Sequence, residues 1–170
     1  QGHDVIEFIN GNTRLKPADE PLLEAKFARF KAKRSVEDWL ELLRRNVTIL
    51  NELSPLQMRE FMLDSEVRPY KGGEVIFERN DVGSSLFAIA QGSVLVEIDP
   101  KDSRVTVPIE QGSIFGEVGL ISGRRRGATI RAGENAVIVE ISRTAALKLM
   151  ASVPAAKRAV TRISVERQLL

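Results

Sequence analysis

Three consecutive arginines, Arg124 to Arg126, stand inside a segment otherwise made of small and apolar residues, FGEVGLISGRRRGATIRA (115–132). The spacing before them predicts a single helical turn starting at Gly116. Gly116 and Gly119 let other atoms approach the backbone closely. The first turn of a helix leaves N–H groups unpaired, and such groups attract anions. After a turn at Ser122-Gly123, an arginine guanidinium can reach the same place, where its fork suits two oxygens of a phosphate. Glu117 would repel a phosphate, so it needs a hydrogen-bond donor of another kind, and a sugar hydroxyl fits. The chemistry is that of one phosphate plus one ribose. Any of the three arginines can supply that guanidinium, and those that do not form a solvated basic turn.

No catalytic set accompanies these residues. The chain has one histidine, His3, near its terminus, and no cysteine. The commonest base and nucleophile are thereby missing, along with thiolate metal sites and disulfides. No G-x-x-x-x-G-K-(S/T) phosphate loop is present. The expectation is a binding protein, not an enzyme, with no metal and no cofactor beyond its ligand. The 170 residues carry 25 basic and 23 acidic side chains, a net charge of +2, which is too balanced for nucleic-acid binding by bulk electrostatics. No apolar run approaches the roughly 18 residues of a membrane span, and no signal peptide is visible. A cytoplasmic setting follows as the expectation.

The elements around the arginines change period twice. Residues 1–19 read as a lead-in. Leu23, Phe27 and Phe30 then recur at helical spacing, with Lys26, Arg29, Lys31, Lys33 and Arg34 as a solvated basic face. Ser35 starts a second helix as an N-cap. Its stripe of Val36, Trp39, Leu40, Leu43, Val47 and Leu50 runs to about residue 53, with Trp39 in a packing role. Ser54-Pro55-Leu56-Gln57 is a third helix start, with proline at N1 and glutamine at N3. From about residue 65 the pattern alternates. Strands are predicted at 74–79, 85–90, 93–98, 104–109, 127–131 and 136–141, separated by glycine- and aspartate-rich turns. Ser142 caps a short helix to about Ala151. A last helix after Pro154, about 154–168, puts Ala156, Val160, Ile163 and Leu170 on one face. The fold class is mainly β with flanking helices: an antiparallel β-roll, or jelly roll, with N-terminal helices and two C-terminal helices. Residues 1–53 form a helical segment or linker, and 54–170 the ligand-binding roll with its lid helices.

Residues 115–120 and 125–130 resemble the phosphate-binding cassette of cyclic-nucleotide-binding domains, the superfamily of the catabolite activator protein, protein kinase A regulatory subunits and cyclic-nucleotide-gated channels. The family pattern runs F-G-E-x-(A/G)-L, a short gap, then x-R-x-A-(T/S)-(V/I). Upstream, GEVIFERNDVGSSLFAIAQGSV is similar to the family's glycine-punctuated hairpins, and the resemblance covers about residues 45–168. It implies that Phe115, Gly116, Val118 and Gly119 surround the ligand with backbone donors and packing. Glu117 would accept from the ribose 2′-hydroxyl, and Arg126 would pair with the cyclic phosphate. Gly127, Ala128 and Thr129 would line the phosphate side. The family often has proline where this chain has Arg125. Members selective for cyclic GMP often carry threonine where this chain has Gly127, which tilts the expected ligand to cyclic AMP.

The resemblance also implies a two-state regulator. Ligand orders the cassette, the cassette shifts against the C-terminal helices, and the last helix closes over the purine. Arg158, Thr161, Arg162 and Val165 are the candidate lid contacts. The effector is expected in a further domain or partner protein outside these residues. Two other readings stand beside this one. One is a sensor of the same fold for another small ligand. The other is a ligand-free interaction or homodimerisation module, assembled through the 20–53 helices or the last helix.

Overall fold

Local capping chemistry sets the helix boundaries. In the computed structural model, which describes residues 18–168, α1 spans Asp19–Phe27, α2 Val36–Asn46 and α3 Pro55–Leu63. His3 and nearly all of the lead-in lie outside the described residues. The Ser35 hydroxyl accepts from the Asp38 N–H at 3.1 Å. Ser54 and Gln57 form a reciprocal capping box, each side chain bonded to the other's backbone N–H. The first stripe is interrupted where the sequence suggested one helix to about residue 53: α2 stops at Asn46, and a 3₁₀ turn covers Thr48–Leu50. Asn51 makes the break, its amide donating to the carbonyls of Arg44 and Val47 at the helix end.

Eight antiparallel strands follow. They are β1 (Ser65–Tyr70), β2 (Val75–Phe77), β3 (Leu86–Gln91), β4 (Ser93–Glu97), β5 (Thr106–Glu110), β6 (Ile114–Phe115), β7 (Ile130–Ala132) and β8 (Ala136–Ile141). One sheet has the order β1-β8-β3-β6 and the other β2-β7-β4-β5. Strands β1 and β6 add to the six predicted from alternation. Strand β1 holds Arg68 and Pro69 among its residues, and β6 is two residues long, so neither shows a readable period. Between β6 and β7 lies α4 (Glu117–Ser122), and after β8 come α5 (Arg143–Ser152) and α6 (Pro154–Gln168).

Strand β3, in the middle of the first sheet, is buried on both faces, which is why it reads as a continuous apolar run. One face, with Val67, Leu86, Ala88, Val139 and Ile141, packs on the helices from both ends of the chain. The helices before residue 54 share this core through Leu23, Trp39 and Leu43. The other face, with Phe87, Ile89, Ala136 and Ile138, meets Val94, Ile130 and Ala132 of the second sheet. Phe27 stacks on Trp39 with centroids 5.3 Å apart, and Phe30 tilts against the same indole at 4.7 Å, locking α1 to α2. Among the described residues, no helix is long and apolar enough to cross a membrane.

Candidate functional site

The β6–α4 junction turns on Gly116, whose φ of +82° is a left-handed value that glycine adopts without strain. This turn sends the chain from the buried Phe115 directly into α4. The N–H groups of the helix's first turn have no intrahelical acceptor. Gly123, also left-handed, ends the helix and returns the chain through the arginines.

Arg126 is held from its backbone outward. Its N–H donates to Asp81 O at 2.9 Å and its carbonyl accepts from Asn80 N–H at 2.8 Å, clamping it to the turn after β2. Its side chain runs inward and is only 6% exposed. Nη1 donates to Gly116 O and Nη2 to Ser85 O, each at 3.1 Å. The guanidinium lies over Phe77 at 4.5 Å from the ring centroid and 5.4 Å from that of Phe87. Three glycines make room for it. A Cβ at Gly83 would sit 2.9 Å from Nη2, one at Gly116 3.0 Å from Nη1, and one at Gly119 2.9 Å from Nη1. Burial pushes the guanidinium's pKa down, partly opposed by the fields of Glu140, Asp81 and Glu117. Arg124 and Arg125 are exposed, and Arg125 donates to Asn80 O at 3.0 Å.

Glu117 is 2% exposed. Its Oε1 pairs with Nη1 of Arg167, an arginine 50 positions further on in α6, whose Nη2 donates to Ile114 O at 2.8 Å. The carboxylate is therefore a buried group tied to the last helix, not a surface charge balanced by the adjacent arginine run.

These residues meet around a cavity of about 290 Å³. Phe115, Gly116, Glu117, Val118, Gly119, Arg126, Gly127 and Ala128 line it, as does Arg167. Thr129 lies outside the lining, and its hydroxyl accepts from Arg79 N–H at 3.0 Å. The facing wall is apolar: Val96, Ile98, Val107 and Ile109. Ile98 and Val107 are half exposed there, leaving apolar surface open to a ligand. From α6, the anticipated contacts Arg158, Thr161, Arg162 and Val165 all face solvent and none lines the cavity. Arg167 is the contributor instead. A sequence signal for it existed: it continues the Ala156, Val160, Ile163 stripe at the next helical step, an arginine where an apolar residue is expected.

The model of the family described as cyclic nucleotide-binding domain matches residues 67–153, from β1 to the end of α5. A cAMP-dependent protein kinase regulatory subunit of Blastocladiella emersonii is 28% identical over 122 residues, 71% of this chain and 29% of that protein. A cyclic nucleotide-gated channel of Caenorhabditis elegans is 22% identical over 147 residues, 83% of this chain and 20% of that one. The chain thus spans between a fifth and a third of these relatives. The crystal structure of Thermus thermophilus catabolite activator protein superposes with a TM-score of 0.59 at 24% identity, covering 71% of this chain and 58% of that one, a likeness of fold. With its eight-stranded roll, its flanking helices and a family match over half its length, this chain belongs to the cyclic nucleotide-binding domain family of regulatory and sensor proteins.

Proposed function

We propose that the cavity takes cyclic AMP in preference to cyclic GMP and that the last helix reports its arrival. The observation that carries this reading is one small cavity faced by a buried arginine, a buried carboxylate, unpaired helix-start N–H groups and an aliphatic wall. Arg126 and the N–H groups of Glu117 to Gly119 serve the phosphate. Glu117 has a second oxygen, Oε2, to accept from a ribose hydroxyl while Oε1 stays on Arg167. Gly127 and Ala128 frame the phosphate side, and Thr129, outside the lining, supports them by tying its hydroxyl to the Arg79 N–H.

The purine lies against Val96, Ile98, Val107 and Ile109, which offer no side-chain hydrogen bond to a guanine edge. Gly127 likewise brings no hydroxyl. Both favour adenine. Arg167 joins Glu117 to α6, so a change at the ribose is felt by that helix. A ligand moves such a helix only to the extent that it binds one arrangement more tightly than the other. In this reading residues 54–170 are the sensing unit, 1–53 connect it to its surroundings, and the effector lies in another domain or protein in the cytoplasm.

Isothermal titration of cyclic AMP and cyclic GMP into the parent and into Arg126→Ala tests this. Truncating one partner of a desolvated charge pair typically costs about 2–5 kcal/mol, which is roughly 30-fold to several thousand-fold in affinity. The expected result is saturable binding, tighter for cyclic AMP, and its near-loss in the variant. Folded, ligand-free parent that binds neither nucleotide would overturn the reading.

A further inference from the structure

One carboxylate in the roll stands where alternation argues against it. Glu140 pairs in register with Phe87 of β3 and Glu66 of β1, and it shares its strand face with Ala136 and Ile138. Further along β8 that face is the apolar interior between the sheets, and Glu140 stands at its rim, its side chain 32% exposed. A charge there needs a partner. Glu66, opposite it, is already neutralised by Lys26 at 2.7 Å. Arg68 approaches Glu140 with Nε 3.4 Å from Oε1, yet that Nε makes no hydrogen bond. The hydrogen bond Glu140 does make is to Ser85, whose hydroxyl donates to Oε2 at 3.0 Å. Ser85 is also the residue whose carbonyl receives Nη2 of Arg126.

We infer that Glu140 is a positioning residue for Arg126, acting through Ser85. The path runs from the rigid sheet to the cassette. The carboxylate on β8 fixes the Ser85 side chain, which fixes the main-chain carbonyl at the mouth of β3, and that carbonyl orients the guanidinium over Phe77 and Phe87. Gly116 O is the guanidinium's other acceptor, and it belongs to the cassette. Without Ser85 held in place, the hydrogen-bond acceptor left in place for the guanidinium is Gly116 O, which moves with the cassette. This inference rests on Arg126 being the phosphate-binding group.

The test begins without ligand. Arg126 lies over two aromatic faces, so ring currents displace its Nε–H resonance from the position shared by exposed arginines such as Arg104. That resonance is assigned by its disappearance in Arg126→Lys. In Ser85→Ala and Glu140→Ala it is expected to move to the exposed-arginine position. In Glu140→Gln it stays displaced, because the amide oxygen still accepts from Ser85. Affinity for cyclic AMP then falls about 10-fold in Ser85→Ala and Glu140→Ala, no further when both are combined, and is retained in Glu140→Gln. An unmoved resonance in folded Ser85→Ala overturns the inference, even if Glu140→Ala fails to fold, and so does an additive double variant. If no protein, parent included, binds nucleotide while the resonances shift as expected, the ligand assignment fails and the positioning stands.

Discussion

Replacing Arg167 by alanine strands Glu117. In the parent the carboxylate is 2% exposed and its side-chain partner among the described residues is the Arg167 guanidinium, itself 27% exposed. Removing one member of a fully buried pair costs about 3–5 kcal/mol, because the remaining charge is left uncompensated. Arg167 also gives up its bond to Ile114 O. The arginine is a quarter exposed and water can enter the cavity beside it, so the expected loss is smaller, about 2 kcal/mol after allowance for solvent screening. For a domain of this size that lowers the melting temperature by roughly 4–8 °C. Thermal unfolding followed by circular dichroism measures it in the ligand-free protein. The informative arm is Glu117→Gln in the Arg167→Ala background. If the cost is a stranded charge, neutralising it recovers at least half of the lost stability, so the double variant is more stable than Arg167→Ala alone. A double variant as unstable as, or less stable than, Arg167→Ala would refute the reasoning and assign the loss to packing of α6. Because the pair is buried, the loss should also persist at about 1 M salt, where the Debye length is only about 3 Å.

Gly119→Ala should be destabilising although alanine is the better helix former by about 1 kcal/mol: its Cβ would sit 2.6 Å from Gly83 O, a backbone atom, and 2.9 Å from Arg126 Nη1. A net loss of about 1–3 kcal/mol in urea unfolding is expected, together with weaker nucleotide binding. Ser54→Ala removes one arm of the α3 capping box and should cost about 1 kcal/mol, read as a lower denaturation midpoint with nucleotide affinity unchanged. Tyr70 is pushed above its ordinary pKa of 10.0, first by burial. Its phenolate is therefore disfavoured in the folded state, and the unfolded chain loses the proton first. Stability should be intact below pH 10 and fall as the pH rises through and above it. Tyr70→Phe should flatten that alkaline limb in denaturant titrations from pH 9 to 11, and an unchanged limb would count against the assignment.

Where local chemistry decides the structure, the sequence was sufficient. Ser35, Ser54 and Ser142 each cap a helix through a side-chain bond that reaches only three residues, so the helix starts could be read from four letters. The short helix after Gly116 followed from the apolar spacing of Phe115, Val118, Leu120 and Ile121, again a pattern that spans only a few residues. The strands β1 and β6 did not, because a strand with a proline near its end or only two residues long exists through its partners. Strand β1 is defined by its six-residue register with β8, and β6 by pairing with Phe87 and Ala88. The break after Asn46 depends on Asn51 reaching back to carbonyls that only the folded turn brings within range.

The two arginines of the cavity show the same division within one site. Arg126 could be singled out because the pattern around it is local: Gly116 and Gly119 stand within ten positions of it and leave room for its side chain, and Ala128 and Thr129 complete the family motif the sequence resembles. Arg167 is separated from its partner by 50 positions, and nothing near it in sequence says what it meets. The helix face does. Ala156 and Val160 are buried along α6, and 3.6 residues per turn carry that face through Ile163 to Arg167. An arginine on a buried face has to find an acceptor, and the buried acceptor available to it is a carboxylate on a six-residue helix that starts with a left-handed glycine. Glu140 obeys the same rule on a strand, where period two places it on the inner face. In both cases the informative signal is a charge that keeps the apolar period of its element: Arg167 meets the buried Glu117, and Glu140 meets Ser85 and Arg68.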